Sequence, residues 1–212
     1  CFMDTAARVE GILSALKQCY PEALCALHYA QDYQLMIAVR LSAQCTDARV
    51  NLVTPALFAR FDSLDAFADA APEEIEPYIH SCGFFRAKAK DIVLACRRLR
   101  EVYDRRIPDQ MDQLLTLPGV GRKTANLLLG DLYHQPAYVC DTHCIRISGR
   151  LGLTEGKDPE KVEQQLRQVI PPEESGDYCH RIVLHGRAVC TARAPQCGSC
   201  RLAPWCKTFT GN

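Results

Sequence analysis

No segment of the 212-residue chain approaches the roughly 20 consecutive apolar residues that a membrane-spanning helix requires, so no membrane partner is expected. No basic region followed by a short apolar run and a small-residue cleavage site opens it. Secretion is therefore not expected, and a reducing, cytoplasmic setting is. Strict alternation of apolar and polar residues is missing over any useful length, which removes the signal for half-buried strands. Internal repeats and low-complexity tracts are also missing. So is net charge: 25 Lys and Arg balance 25 Asp and Glu, and nothing global marks the chain for a polyanion.

Locally the charge is not balanced. Residues 62–76 carry six acids and no base, whereas residues 86–106 carry eight bases against three acids. From Arg187 onward there are four bases and no acid. Such blocks are either solvated helix faces or local patches for a polyanion.

The apolar spacing is helical almost throughout. Thr5 to Cys19 carries a stripe at Val9, Ile12, Leu13 and Leu16. Leu35 to Leu41 is nearly all apolar, as in a central buried helix. Further helices are predicted over 51–61, 87–103, 122–133, 142–151, 158–170 and 176–189. A short acidic one begins between Pro72 and Pro77, and another runs from Pro108 through Leu117. The expected fold class is all-α, with an irregular tail after Cys190.

That tail reads CTARAPQCGSCRLAPWC and places Cys190, Cys197, Cys200 and Cys206 within seventeen residues. Four thiolates so close together point to one metal centre. The spacing, with a single Cys-x2-Cys, suits an iron–sulfur cluster and leaves zinc open. Either would fold a tail too short to hold a core of its own. The other nine of the thirteen cysteines, including the metal-like pair Cys140 and Cys144, read as small buried residues.

The stretch LPGVGRKTANLLLG (117–130) reads as a glycine turn between helices. Backbone amides exposed by such a turn, next to a helix N-terminus, suit a phosphate. Gly119 and Gly121 permit positive φ and close approach. Lys123, read in isolation, is a phosphate contact or a nucleophile. Asp141 precedes a helical pattern and reads as its N-cap, a role that leaves room for acid–base work.

These pieces together resemble the endonuclease III family of helix-hairpin-helix DNA glycosylases. The resemblance is carried by LPGVGRKTAN, by the Asp of DTH eighteen residues after its lysine, and by LHGR. It is also carried by the Cys-x6-Cys-x2-Cys-x5-Cys tail, LSAQCTD (41–47) and GFFRAKA (83–89), in order and over nearly the whole chain. It implies two helical lobes with a DNA-binding cleft between them. One is a helical barrel over 25–135 ending in the hairpin. The other joins 1–24 to 136–212 and carries a [4Fe–4S] cluster on the four tail cysteines.

The implied activity is excision of oxidised pyrimidines from duplex DNA, followed by strand nicking at the abasic site, by a monomer. A damaged base must leave the stack to be reached. By the resemblance, Lys123 attacks the sugar C1′ and Asp141 takes up its proton or stabilises charge on the sugar. Partial burial and the helix N-terminus would favour the free amine. A carboxylate in direct contact would oppose it, so the two are expected apart in the free protein. Gln44 would fill the space left by the flipped base and Phe84 would wedge the step, although Phe84 could also be a core residue. Asp47 would cap a helix or shape the lesion pocket. Gly119, Val120, Gly121, Arg122, His143, Arg146 and Arg193 would contact the DNA. The tail loop TARAPQ keeps only Arg193 where related proteins place several bases. Phosphate binding through that loop is expected to be weak, with Arg146, Arg150 and the 86–106 block, unless that block faces away, as alternative carriers.

Overall fold

The computed structural model describes residues 5–211. It contains α1 (Thr5–Cys19), α2 (Asp32–Ser42), α3 (Asp47–Arg60), α4 (Leu64–Asp69), α5 (Pro72–Ile79) and α6 (Phe85–Val102). These are followed by α7 (Met111–Leu114), α8 (Arg122–Tyr133), α9 (Thr142–Leu151), α10 (Pro159–Val169), α11 (Ser175–Ala188) and α12 (Lys207–Thr210). Short 3₁₀ turns fill several connections, and no strand occurs among the described residues. The fold class is all-α. The helix expected to run from Pro108 through Leu117 is only α7. Leu117 N–H turns back to Leu114 O at 3.0 Å and Val120 N–H to Leu117 O at 3.1 Å, so i→i+3 turns replace the helix as the chain enters the hairpin.

The chain divides into two compact units, Cys25–Tyr133 and Cys1–Leu24 joined with His134–Asn212. In the first unit α2 is the central helix. Its Leu35, Ile37, Ala38 and Leu41 are fully buried, and it packs against α3, α6 and α8. Phe67 of α4 collects the rings of Tyr33, Phe58 and Phe61 around it at 5.1–6.2 Å between centroids.

The two opposite charge blocks meet inside this unit, where α6 packs on α4 and α5. Arg100 pairs with Asp69 at 2.7 Å and Arg105 with Asp65 at 2.9 Å. Arg97 donates to the Ala68 and Ala70 carbonyls. Arg98 bonds Thr116, Arg86 lies 3.9 Å from Glu76, and Lys88 is buried. Six of the eight bases are thus engaged within the unit, so the block is in the main a docking device between helices. Arg105 holds the Asp65 carboxyl below the usual carboxylate range.

The second unit packs α1, α9, α10 and α11 around Ile12, Leu16, Ile147, Val162, Leu166, Tyr178 and Ile182. Its α10 starts at an Asp158 cap. Cys140, Cys144 and Cys179 are buried small residues here, as Cys82 and Cys96 are in the other unit. Burial pushes the Cys96 thiol up to about 12. The expectation fails for Cys19, which is exposed, and holds only partly for the half-buried Cys25 and Cys45. Cys1 lies outside the described residues.

Candidate active site and cysteine loop

The hairpin is anchored by Val120, which is buried in the core of the 25–133 unit. Its two glycines do different things. Gly119 has φ +77°, the left-handed region that suits glycine. A Cβ there would fall 2.8 Å from Arg40 Nε and 2.9 Å from Asp91 Cβ. Arg40 and Asp91 form an ion pair at 2.7 Å on which the turn rests. The reading of Gly121 as a second positive-φ residue is corrected: its φ is not in that region, and a Cβ there would meet nothing within 4 Å. Its face is open, which leaves the backbone accessible to a close-approaching ligand.

Arg122 and Lys123 follow on the first turn of α8, both exposed. The first N–H groups of a helix lack intrahelical acceptors, and the partial positive charge there favours an anion. The partial burial expected of Lys123 is not found.

Gln44 and Phe84 lie on two other loops of the same unit. Both are exposed, Phe84 at 71%, so it is not a core residue. Both are also left-handed, with φ 55° and 47°, a sparsely populated conformation for side-chain-bearing residues. Gly83 before Phe84 has φ +69°. Asp47 does not cap α3. Thr46 does, its Oγ1 accepting from Arg49 N–H at 3.2 Å, and Asp47 is the first helical residue, where the dipole favours a carboxylate.

Asp141 belongs to the other unit and caps α9 as expected, one carboxylate oxygen accepting from Cys144 N–H at 2.7 Å. His143 and Arg146 follow on α9. Arg146 Nη2 lies 3.1 Å from His143 Nδ1 and donates to Cys190 O at 3.0 Å. A Cβ at Gly186 would fall 2.5 Å from His143 Nδ1, so this glycine of LHGR makes room for the start of α9. His185 beside it is buried, which lowers its pKa. Its Nε2 is 3.4 Å from Cys200 Sγ and its Nδ1 is 3.2 Å from Tyr20 Oη. Neither role was visible in the sequence, where LHGR carried only a resemblance.

The cysteine tail is held by its neighbours. Arg150 Nη1 donates to Thr191 O at 2.8 Å and lies 3.2 Å from Cys190 Sγ, and Nη2 donates to Ala192 O at 2.9 Å. Arg150 is therefore committed to the loop rather than to a phosphate. The indole of Trp205 covers Gly11 of α1, where a Cβ would fall 2.3 Å away. Arg193 is exposed.

Cys190, Cys197, Cys200 and Cys206 all line one cavity of about 150 Å³, whose other walls include Ile147, Leu151, Leu202 and His185. Burial first, and then the other three thiols, push the Cys200 thiol up. A polynuclear cation centre would relieve that cost. The donor set and the space fit an iron–sulfur cluster.

A hairpin between helices followed by an exposed lysine places the chain in the helix-hairpin-helix class. A model of the HhH-GPD superfamily of base excision DNA repair proteins matches residues 37–172, and the chain belongs to that superfamily. Its likeness to individual proteins is narrower. The chain is 50% identical over 200 residues to endonuclease III of Synechocystis sp., covering 94% of this chain and 91% of that one. It is 38% identical to endonuclease III of Escherichia coli (strain K12), over 97% of each. A solved structure of a trapped endonuclease III–DNA covalent intermediate superposes with a TM-score of 0.91 at 39% identity, covering 99% of both chains. Within the superfamily it is an endonuclease III-type enzyme, of the DNA glycosylase/AP lyase class. No helix among the described residues is long and apolar enough to cross a membrane.

Proposed function

We propose that the chain is a bifunctional enzyme that excises oxidised pyrimidines from duplex DNA and then nicks the strand through a lysine Schiff base. The observation that carries this is Lys123, exposed on the first turn of α8 two residues after an open-faced hairpin glycine. The hairpin amides around Gly119, Val120 and Gly121 hold a phosphate, with Arg122 adding charge beside them, and His143, Arg146 and Arg193 make contacts of their own to the DNA from the other unit. That grip sets the Lys123 Nζ against the deoxyribose.

In the reaction the free amine attacks C1′. The C1′–N bond breaks and the base leaves with the electron pair, taking up a proton. Asp141 accepts the proton lost from the amine and stabilises positive charge on the sugar. The amine nitrogen then expels O4′ from C1′, O4′ takes up a proton as the sugar ring opens, and the resulting imine acidifies the C2′ hydrogen. Its removal expels the 3′ phosphate by β-elimination, and water releases Lys123. Gln44 fills the vacated space and Phe84 wedges the step, with Asp47 on the lesion side. Cys190, Cys197, Cys200 and Cys206 hold a [4Fe–4S] cluster, which fixes the tail as a folded unit and supplies no step of the reaction.

Borohydride reduction tests the reading. Duplex DNA carrying an oxidised pyrimidine should yield a trapped protein–DNA adduct, and Lys123→Ala should abolish it while lesion binding stays within about threefold. Wild-type protein that excises the base but never traps would refute the lysine mechanism.

A further inference from the structure

Lys88 is 1% exposed, an unusual place for an ammonium. Its Nζ donates to two carbonyls, Leu41 O and Cys82 O, both at 2.8 Å. Leu41 stands three residues before Gln44 and Cys82 two before Phe84, so one side chain joins the roots of both exposed loops. The first carbonyl lies in the last turn of α2, one residue before its end, and the second ends the 3₁₀ turn His80–Cys82, positions where a cation is favoured. Around it lie the Cys45 and Cys82 thiols and the Arg40 guanidinium; burial lowers the Lys88 pKa, and the two thiols oppose the shift.

The loops need such a tie. Gln44 and Phe84 both have positive φ, and such a conformation in a residue with a side chain persists only where the surroundings over-determine it. An apolar side chain of similar length would fill the space without the cost of burying a charge. It would leave two buried carbonyls without their donor and nothing fixing one loop to the other.

We infer that Lys88 is a positioning residue that sets the spacing of Gln44 and Phe84, so that filling the vacated space and wedging the step occur as one event. This rests on the proposed entry of those two side chains into the duplex. The predicted signature is a loss confined to the opening of paired DNA, because a single-stranded abasic site needs neither loop.

The test uses Lys88→Met in the full-length holoprotein, with three measurements. These are single-turnover excision of thymine glycol from a duplex, the fluorescence rise of 2-aminopurine placed beside the lesion, and borohydride trapping on a single-stranded abasic oligonucleotide. Duplex excision should fall at least tenfold and the fluorescence rise should shrink, while the half-saturating enzyme concentration moves less than threefold and single-stranded trapping stays within twofold. Duplex excision within twofold of wild type, or an equal fall on the single-stranded site, overturns the proposal. If Lys88→Met does not fold, Lys88→Gln decides. Its amide can serve one carbonyl and should give a three- to tenfold loss specific to duplex, and no duplex-specific loss overturns the proposal. Gln44→Ala and Phe84→Ala run in parallel. If they leave the fluorescence rise intact, the entry of these side chains is itself wrong and the proposal falls with it. If they abolish it and Lys88→Met does not reduce it, only the role of Lys88 is refuted.

Discussion

Replacing each hairpin glycine by alanine should separate folding from binding, because the two positions differ in space and in backbone conformation. At Gly119 the left-handed conformation costs alanine about 1–2 kcal/mol. The new Cβ would also sit under 3 Å from Arg40 and Asp91, and forced overpacking costs about 1–3 kcal/mol. The Arg40–Asp91 pair, only partly exposed, adds at most about 1 kcal/mol if it is displaced. Gly119→Ala should therefore lose about 2–6 kcal/mol. At a urea slope near the middle of the range of about 1–3 kcal/mol per molar, its midpoint should drop by about 1–3 M. At Gly121 there is neither a clash nor a positive φ, so alanine should leave stability unchanged or raise it by up to about 1 kcal/mol through the unfolded chain. Its methyl group points to the open face where the DNA backbone is proposed to approach. Affinity for duplex DNA, read by fluorescence anisotropy at fixed salt, should fall at least tenfold, about 1.4 kcal/mol. Gly121→Ala that binds as wild type would show that the strand does not touch this turn. An unchanged urea midpoint for Gly119→Ala would show that the turn does not rest on Arg40 and Asp91.

Asp141 should yield a similar separation. Asn caps as well as Asp, so Asp141→Asn keeps thermal stability and loses excision, whereas Asp141→Ala loses excision and about 1 kcal/mol of stability. Cys200→Ala should remove the broad visible absorption of the purified protein and lower its melting temperature; full colour would exclude the assignment of this ligand. Arg193→Ala should reduce the slope of log affinity against log salt by about one, and an unchanged slope would show that this side chain does not neutralise a phosphate. Asp65, whose pKa is lowered by Arg105, binds its proton more readily in the unfolded chain. The stability it contributes is present above the ordinary carboxylate pKa and is lost as pH falls through the lower folded value. Urea midpoints measured from pH 6 down to pH 3 should fall less in Asp65→Asn than in wild type; identical profiles would refute this linkage.

Much of the helical plan is legible in the sequence because amphipathic spacing and caps are local. α1, α8 and α9 begin and end where the spacing and Asp141 place them. The four tail cysteines and the lysine after the hairpin stand out as candidates, since a thiol set within seventeen residues and a lysine on one turn need no knowledge of distant chain. What depends on distant chain was not legible. The sequence alone determined an all-α protein with its candidate nucleophile, capping carboxylate and thiol set.

Only the tertiary structure decided which charges are spoken for. It sets the acidic block against the basic one, Arg150 against the cysteine loop and Lys88 between two loops, because ion pairs and buried donors are fixed by packing between elements far apart in sequence. It also decided that Gly119 shapes the turn while Gly121 leaves it open. The two are indistinguishable as letters, and differ only in φ and in what stands where a Cβ would go.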